Sequence, residues 1–360
     1  MAHAAEGARR LVTKTRPTIR DVALRAGVSV ATASNVVNGN RPVGEASRRK
    51  VVEAIATLGY QVDRAASALR GSSTRLVGMV VPDITNVFFA SLVHGVESLA
   101  ERDGYDLLLV STSEDPAIER RRVEALVARR IDGLIAVPAD DASLVSIRQG
   151  QVRLPPTVLL DRGADAPGFD TVRADCERGA YEAVVHLIGL GHRDIAVLAH
   201  SKHHQNIAQR IAGCRRALRE AGLEGRERVV CGGHDLESLR GAVEMELHRA
   251  DRPTAIFALT NICALASIKA SRGLGLDIPA DVSIVGFDDF DWMLALRPYL
   301  TTVAQPVEEF ASVAWRLLMA RLLGEPPSEV DRVELPCALK VRESTGPPRF
   351  RLKAVAEALR

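Results

Sequence analysis

The chain has 360 residues, of which 47% are hydrophobic and 26% charged, and its formal net charge is +2. This length exceeds one ordinary hydrophobic core and predicts roughly two or three domains. No run of about 18 apolar residues occurs, which excludes a membrane-spanning helix. Residues 1–16 lack the apolar centre of a secretory signal, so we expect a cytoplasmic protein. The five cysteines include no Cys-x-x-Cys pair, which favours reduced thiols over a disulfide framework or a zinc site.

The charge is distributed unevenly along the chain. Residues 1–75 contain 13 Lys and Arg but five Asp and Glu, a net charge of +8, whereas the remainder carries −6. A basic head on an acidic body predicts that the head binds a polyanion. The alternative is a disordered basic leader, which we expect only for residues 1–16 because helix-forming patterns begin after them.

Residues 17–60 have the pattern of three short helices. Thr18 is a typical N-cap of the first helix, and Gly27 ends that helix. Ser29 caps the second helix, and Gly59 closes the third. A helix, a tight turn and a second helix form a helix-turn-helix, whose second helix enters the major groove of DNA.

Residues 61–74 are predicted to form a linker that holds a short hinge helix over 64–70. From Leu76 onward strands and helices alternate, which indicates βαβ units and parallel sheets. This pattern is too long for one compact sheet, so we expect two similar lobes. Ligands of such sheets bind beyond the carboxyl ends of the strands, and the side chains there are candidate contacts. The predicted strands are 76–81, 107–110, 133–137, 158–160, 195–199, 255–259 and 283–287.

The segment from Thr18 to Asn38, TIRDVALRAGVSVATASNVVN, resembles the headpiece signature of LacI-type (LacI/GalR) bacterial transcriptional regulators. The resemblance covers residues 17–347 and is clearest at 80–89, 158–162, 191–195, 281–289, 300–306 and 341–345. It implies a small all-α helix-turn-helix headpiece with a hinge helix, followed by an α/β, two-lobed body like that of periplasmic binding proteins, with two parallel sheets. The implied bounds are 17–60 for the headpiece, 61–74 for the hinge, 75–173 with 305–332 for the first lobe, 174–304 with 333–346 for the second lobe, and 347–360 for a tail.

The resemblance also implies which residues contact DNA. Val30 and Ala31 would select bases, and their apolar groups suit thymine methyls. Asn35 stands where the family usually has Arg or His, and it either pairs with adenine or contacts only phosphate. Leu69 would enter the minor groove as a wedge that kinks the DNA, or it only packs a linker helix. The full implied set is Thr18, Ser29, Val30, Ala31, Thr32, Ser34, Asn35, Asn38, Ser47, Tyr60, Ala66 and Leu69.

A small effector is expected to bind between the lobes. Carboxylates accept hydrogen bonds from hydroxyl groups, a guanidinium group donates to oxygens, and an aromatic face stacks on an apolar ring. Two alternatives stay open: Phe89 is part of the core, or Asp83 is a turn cap. The implied contacts are Asp83, Phe88, Phe89, Asp161, Arg210, Thr260, Asn261 and Asp288.

Some positions near this expected site depart from the family pattern. Thr260-Asn261 stands where the family usually has Asn-Asp, and Asp175-Cys176 where it often has Asp-Asn. We therefore expect a ligand that needs fewer acidic acceptors. The adjacent histidines 203 and 204 fit a solvated loop better than a metal site, and no metal or cofactor is expected.

These features predict a sequence-specific DNA-binding transcriptional regulator. The simplest form is a repressor whose homodimer binds a palindromic operator, with an affinity controlled by a sugar or related metabolite; an activator is the open alternative. An enzyme is disfavoured because the sequence lacks a phosphate-binding loop, a Gly-x-Ser-x-Gly elbow and a dinucleotide fingerprint. A sugar-transport binding protein is disfavoured by the basic head. The tail after Pro348 is short for a coiled coil, so a dimer is expected rather than a tetramer.

Overall fold

The computed structural model describes residues 17–38, 41–60, 73–150, 152–163, 166–201, 204–233, 235–324 and 330–349. The chain divides into two compact units, residues 1–74 and 75–360. The predicted leader 1–16 and hinge helix 64–70 lie outside the described residues, as do residues 350–360 of the predicted tail.

Three helices form the described part of the first unit: α1 (Ile19–Ala26), α2 (Val30–Asn38) and α3 (Glu45–Leu58). Thr18 and Asp21 form a capping box, in which the Thr18 N–H donates to the Asp21 carboxylate at 2.8 Å. Gly27 ends α1 at a φ of +65°, a left-handed conformation that glycine adopts without strain. The three predicted helices and their ends are confirmed.

The core of this headpiece is small and consists mainly of alanine and valine. The buried side chains are Val22, Ala23, Ala26, Ala33, Val51 and Ala54. Among the described side chains of α2 only Ala33 is fully buried, and Val30 and Ala31 at its beginning are exposed to solvent.

The second unit contains two six-stranded sheets. The strands of the first sheet are β1 (Leu76–Val81), β2 (Asp106–Ser111), β3 (Gly133–Ala136), β4 (Thr157–Leu160), β5 (Asp170–Ala174) and β11 (Arg332–Leu335). Their order is β11-β5-β4-β3-β1-β2, and every pair is parallel. The helices of this lobe are α4 (Val87–Arg102), α5 (Pro116–Ala128), α6 (Ser143–Gln149) and α12 (Val307–Leu322).

The second sheet has the same design. Its strands are β6 (Ile195–Ala199), β7 (Glu227–Cys231), β8 (Ala255–Ala258), β9 (Ser283–Phe287), β10 (Thr301–Ala304) and β12 (Ala338–Lys340). Their order is β12-β10-β9-β8-β6-β7, and only the β10–β12 pair is antiparallel. The helices of this lobe are α7 (Cys176–Gly189), α8 (Gln205–Glu220), α9 (Leu236–His248), α10 (Asn261–Gly273) and α11 (Trp292–Ala295).

Central strands such as β3, β6, β8 and β9 are buried along their whole length. Helices cover both faces of a parallel sheet, so these strands are continuous apolar runs rather than alternating patterns. This is why the sequence pattern located them. Among the described residues, no helix is long and apolar enough to cross a membrane.

The described chain passes between the two sheets three times: after β5, between β10 and α12, and after β11. The predicted lobe boundary at 332/333 is wrong, because β11 pairs with β5 as far as Leu335 and Ala174. The first lobe therefore extends to Leu335 and also includes Ala174. The hydrophobic side chains Val333 and Leu335 pack on the core at that edge, and this packing holds the segment in the first lobe.

Candidate functional site

The exposed face of α2 carries the first group of predicted contacts. Val30 is 45% exposed and Ala31 is exposed. The Ser29 hydroxyl accepts the Thr32 N–H at 3.0 Å and lies 2.8 Å from the Thr32 hydroxyl, so the first turn of α2 is capped. The beginning of α2 therefore presents two small apolar side chains on a fixed turn, as expected for a helix that reads base edges.

The other predicted DNA contacts differ in their surroundings. Thr18 serves the cap of α1, since its hydroxyl donates to Asp21 at 2.8 Å. Tyr60 packs against the headpiece core. Partly buried are Thr32, Ser34, Asn35 and Ser47, while Asn38 is the last residue of α2. Ala66 and Leu69 lie outside the described residues, so the proposed minor-groove wedge stays a prediction.

The described headpiece keeps a positive charge at its surface. Its exposed basic residues are Arg20, Arg25, Arg41, Arg48, Arg49 and Lys50, against the acids Asp21, Glu45 and Glu53. This excess favours association with a polyanion such as the phosphate backbone.

In the second unit, two of the predicted effector contacts sit directly beyond the strands, at strained positions. Asp161 follows β4 and Asp288 follows β9. Both are buried, and both have positive φ angles, +62° and +74°. Aspartate at a positive φ is uncommon, and such strain clusters at functional sites.

Arg210 of α8 is buried between these acids and the second sheet. Its guanidinium group donates to the Leu259 carbonyl at 2.5 Å, and its Cζ lies 3.6 Å from the centre of the Phe287 ring. Burial alone would lower the pKa of Arg210, but Asp288 and Asp161 are among the neighbours that raise it. Burial raises the pKa of Asp161, although Arg210 opposes it.

A second buried arginine supports the first lobe's side of this region. Arg162 donates to both oxygens of Glu114, at 2.6 and 3.0 Å, and to the carbonyls of Pro138 and Ala139. Its guanidinium carbon lies 5.8 Å from the centre of the Phe89 ring. The bidentate pair fixes the loop after β2 against the loops after β3 and β4.

Several side-chain atoms at the carboxyl ends of the strands or on α8 are buried with no hydrogen-bond partner among the described residues. They include Thr112 Oγ1, Asp161 Oδ1, Arg162 Nε, Arg210 Nε and Gln305 Oε1. Buried polar atoms in folded proteins are nearly always paired. These atoms, two of them acceptors, two donors and one a hydroxyl, therefore make this region the candidate site for a polar molecule.

Direct hydrogen bonds connect the two lobes around these atoms. Asn206 donates to Asp161 at 2.9 Å, and Asn261 donates to Asn86 at 3.0 Å. The Gln205 N–H donates to Asp141 at 3.3 Å. The predicted contacts Thr260 and Asn261 begin α10 and lie at this interface, which we call the cleft.

Three other predicted contacts have structural partners within the first lobe. Phe88 and Phe89 are buried and meet edge to face at 5.3 Å. Asp83 accepts hydrogen bonds from the N–H and the hydroxyl of Thr85, both at 2.8 Å. The alternatives considered from the sequence, core packing for Phe89 and a turn cap for Asp83, both match these contacts.

The expectation of a solvated loop is wrong for His204. This residue is buried, precedes α8, and lies 3.6 Å from Glu114 across the cleft. His203 lies outside the described residues. No group of metal-ligating side chains occurs among the described residues.

Sequence reasoning missed several residues of the cleft. Asn86 and Glu114 follow β1 and β2, Gln305 follows β10, and Asn206 lies in the first turn of α8. The rule that ligands bind beyond strand ends identifies the loops that hold the first three. It does not single out these side chains, because their partners come from distant parts of the chain.

A helix-turn-helix headpiece followed by a two-lobed α/β body is the architecture of DNA-binding regulators that carry a ligand-binding domain. The sequence matches the profile of bacterial regulatory proteins of the lacI family over residues 18–63 and that of a periplasmic binding protein-like domain over residues 184–345. The HTH-type transcriptional repressor PurR of Photobacterium profundum is 34% identical over 307 residues, which are 85% of this chain and 92% of that protein.

Two solved structures are similar as well. The Lac repressor dimer bound to operator and the anti-inducer ONPF is 27% identical, with a TM-score of 0.83 over 92% of this chain and 100% of that one. A LacI family transcriptional regulator from Enterococcus faecium with bound ribose is 29% identical, with a TM-score of 0.67 over 76% of this chain and 100% of that one. The chain belongs to the LacI family of bacterial regulatory proteins. It is a DNA-binding transcriptional regulator and not an enzyme.

Proposed function

We propose that this regulator is a repressor whose homodimer binds a palindromic operator, and that a neutral, hydroxyl-rich small molecule bound in the cleft controls its affinity for DNA. The observation that carries the second half is the set of unpartnered polar atoms on Thr112, Asp161, Arg162, Arg210 and Gln305. The first half rests on the open, capped face of α2 and on the basic surface around it.

The charges of the cleft favour a neutral ligand. Two buried cations, Arg210 and Arg162, lie next to the unpartnered atoms. Asp161 and Asp288 balance Arg210, and Glu114 pairs with Arg162. An anionic ligand would meet no unbalanced positive charge, whereas hydroxyl groups match two acceptors and two donors.

Known complexes of relatives are consistent with this chemistry. The Enterococcus faecium regulator holds ribose, and the Lac repressor holds operator and an anti-inducer. A groove of about 450 Å³ lies at the edge of the cleft, beside Asp141 and Gln205, and its lining includes none of the unpartnered atoms.

On the DNA side of the proposal, Val30, Ala31 and Asn35 read the bases, and the basic surface of the headpiece contacts the phosphates. The apolar pair suits thymine methyls, and an amide at position 35 suits adenine. Leu69 is proposed to wedge into the minor groove. Coupling between the cleft and the DNA passes through the hinge in this scheme.

Operator selection from random duplexes by the full chain, repeated with a panel of neutral sugars, nucleosides and small acids, tests this function. We expect an inverted repeat to be enriched and one class of neutral polyhydroxylated compound to change the enrichment. The test variant is Val30→Asp, which places a negative charge on an exposed position of α2 without touching the core, and it should lose the enrichment. Enrichment by Val30→Asp equal to that of the wild type would contradict the proposed role of this face of α2 in reading bases.

A further inference from the structure

The side-chain amide of Asn261 forms hydrogen bonds to both lobes. Asn261 Nδ2 donates to Asn86 Oδ1 at 3.0 Å in the first lobe and to Asp288 Oδ2 at 3.1 Å in its own lobe. The Asn261 N–H also donates to Asp288, at 3.3 Å. The carboxamide therefore sits between two oxygen atoms that belong to different lobes.

Both of those oxygens are fixed as acceptors. Asn86 is the N-cap of α4, and its Oδ1 accepts the Phe88 N–H at 3.0 Å. Turning the Asn86 amide to present its NH₂ group to Asn261 would therefore remove the cap. Asp288 presents a carboxylate oxygen, and its other oxygen accepts from Gln305 at 2.6 Å. Only a side chain that donates hydrogen bonds fits between these two acceptors.

The neighbouring hydrogen bonds between the lobes come from another helix. Asn206 donates to Asp161, and the Gln205 N–H donates to Asp141 from the main chain. Both come from the start of α8. Asn261 is the bridge on α10, so it acts on a different part of the cleft.

We infer that Asn261 is a latch that holds the cleft closed through the protein's own atoms, so that closure does not require an effector. The inference rests on the proposed function in that the cleft is the regulatory site. An effector would then work by competing with this latch or by adding to it. An aspartate at position 261 would set a carboxylate against the oxygens of Asp288 and Asn86, and the closed state would lose its donor and gain repulsion.

The isosteric variant Asn261→Asp is expected to fold. Asn261 is the first residue of α10, directly after the N-cap Thr260, whose hydroxyl accepts the Cys263 N–H. A carboxylate in the first turn of a helix is favourable to the helix dipole. The variant therefore tests the latch rather than the helix.

The matched control is Asn86→Asp, the same change on the other side of the same hydrogen bond. Aspartate is as good an N-cap as asparagine, so α4 keeps its cap. Its carboxylate still accepts from Asn261, so the latch remains. The two variants add the same charge at nearly the same place and have opposite predicted effects.

The distance between the lobes can be measured by double electron–electron resonance on the full chain without added ligand. Nitroxide labels would be placed at the exposed positions Ser146 on α6 and Ala212 on α8, with the exposed Cys231 replaced by serine. Wild type and Asn86→Asp are expected to give the same short distance. Loss of the neutral hydrogen bond between Asn261 and Asn86 should raise the open-to-closed ratio of Asn261→Asp by about tenfold, seen as a longer-distance population.

Two results would overturn the latch: a distance in Asn261→Asp equal to that of the wild type, or equal opening in both variants. The second result would assign the effect to added charge instead of the lost donor. The measurement uses neither DNA nor effector. If operator selection fails while the two variants still differ, the proposed function is wrong and the latch stands.

Discussion

Glu119 makes the stability of the first lobe dependent on pH. This residue of α5 is fully buried, and its two carboxyl oxygens accept from the Ala139 N–H and the Ser143 hydroxyl, each at 2.5 Å. Burial raises the pKa of Glu119 to about 7, from an ordinary value of 4.5, even though both hydrogen bonds oppose the rise. The carboxyl group holds the loop after β3, whose carbonyls accept from Arg162 at the cleft.

The direction of the effect follows from the two pKa values. Below pH 4.5 the carboxyl group is protonated in both the folded and the unfolded chain, and its contribution is fully present. Between pH 4.5 and 7 the folded chain keeps a proton that the unfolded chain releases, so stability falls as the pH rises. At 1.36 kcal/mol per pKa unit, about 3 kcal/mol of the free energy of unfolding is lost by the time the pH has passed 7.

The substitution Glu119→Gln should remove this dependence, because glutamine stays neutral. Urea unfolding at pH 5, 6, 7 and 8, followed by the fluorescence of Trp315 in a Trp292→Phe background, reports on the first lobe. The difference in free energy of unfolding between wild type and Glu119→Gln is expected to shift by about 2.5 kcal/mol over this range, in favour of the variant at pH 8. Glu124→Gln is an exposed change on the same helix, and its free energy of unfolding should vary with pH as that of the wild type does. The same pH dependence in Glu119→Gln as in the wild type would refute the reasoning.

Three further predictions concern other parts of the molecule. Arg210→Met removes the cation beside Asp288 and should destabilise the second lobe by about 3–5 kcal/mol, measured as a lower midpoint of thermal unfolding; an unchanged midpoint would contradict the charge balance described for the cleft. Thr18→Ala breaks the capping box and should cost about 1 kcal/mol, measured as faster amide hydrogen exchange in α1, whereas Thr57→Ala, whose hydroxyl only donates to a carbonyl of its own helix, should change little. Asn35→Ala should relax base selection at one operator position by about 1–3 kcal/mol; an equal loss for all sequences would assign this residue to phosphate instead.

Local features of the headpiece were predictable because each rests on a few adjacent residues. Thr18 with Asp21, Gly27 and Ser29 are caps whose partners lie within four positions along the chain. Buried parallel strands such as β3, β6, β8 and β9 were predictable for a similar reason, since a sheet covered on both faces produces continuous apolar runs. The resemblance to a known family then supplied the connection between the two units.

Five strands were missed: β5 and β10 inside the sheets, and β7, β11 and β12 at their edges. Charged side chains explain the missed edge strands β7 and β11. Strand β7 begins with Glu227 and Arg228, and β11 alternates Arg332 and Glu334 with its apolar residues. Half-exposed strands with charged side chains resemble loops in the sequence, and β11 joins the first sheet only through its pairing with β5. The residue at which the chain finally leaves the first lobe was therefore not predictable from the pattern.

The cleft shows the same limit at the level of single side chains. Asn86 and Asn261 are separated by 175 positions, and no local pattern links them. The sequence pointed to Asp288 because it follows a strand, but the role of Asn261 depends on which atoms the other lobe presents. His204 was misjudged because it is buried and contacts Glu114, a residue 90 positions earlier in the chain.

The central claim is that a ligand bound in the cleft controls the grip on DNA. It is tested most directly by the affinity of the full chain for its selected operator, with and without the selected ligand, in wild type and in Asp161→Asn. Since Asn206 occupies one oxygen of Asp161, the amide of the variant would turn its NH₂ group toward the unpartnered side and exchange an acceptor for a donor. The account predicts that the ligand changes operator affinity in the wild type and has little effect in the variant. An equal response in both proteins would contradict it.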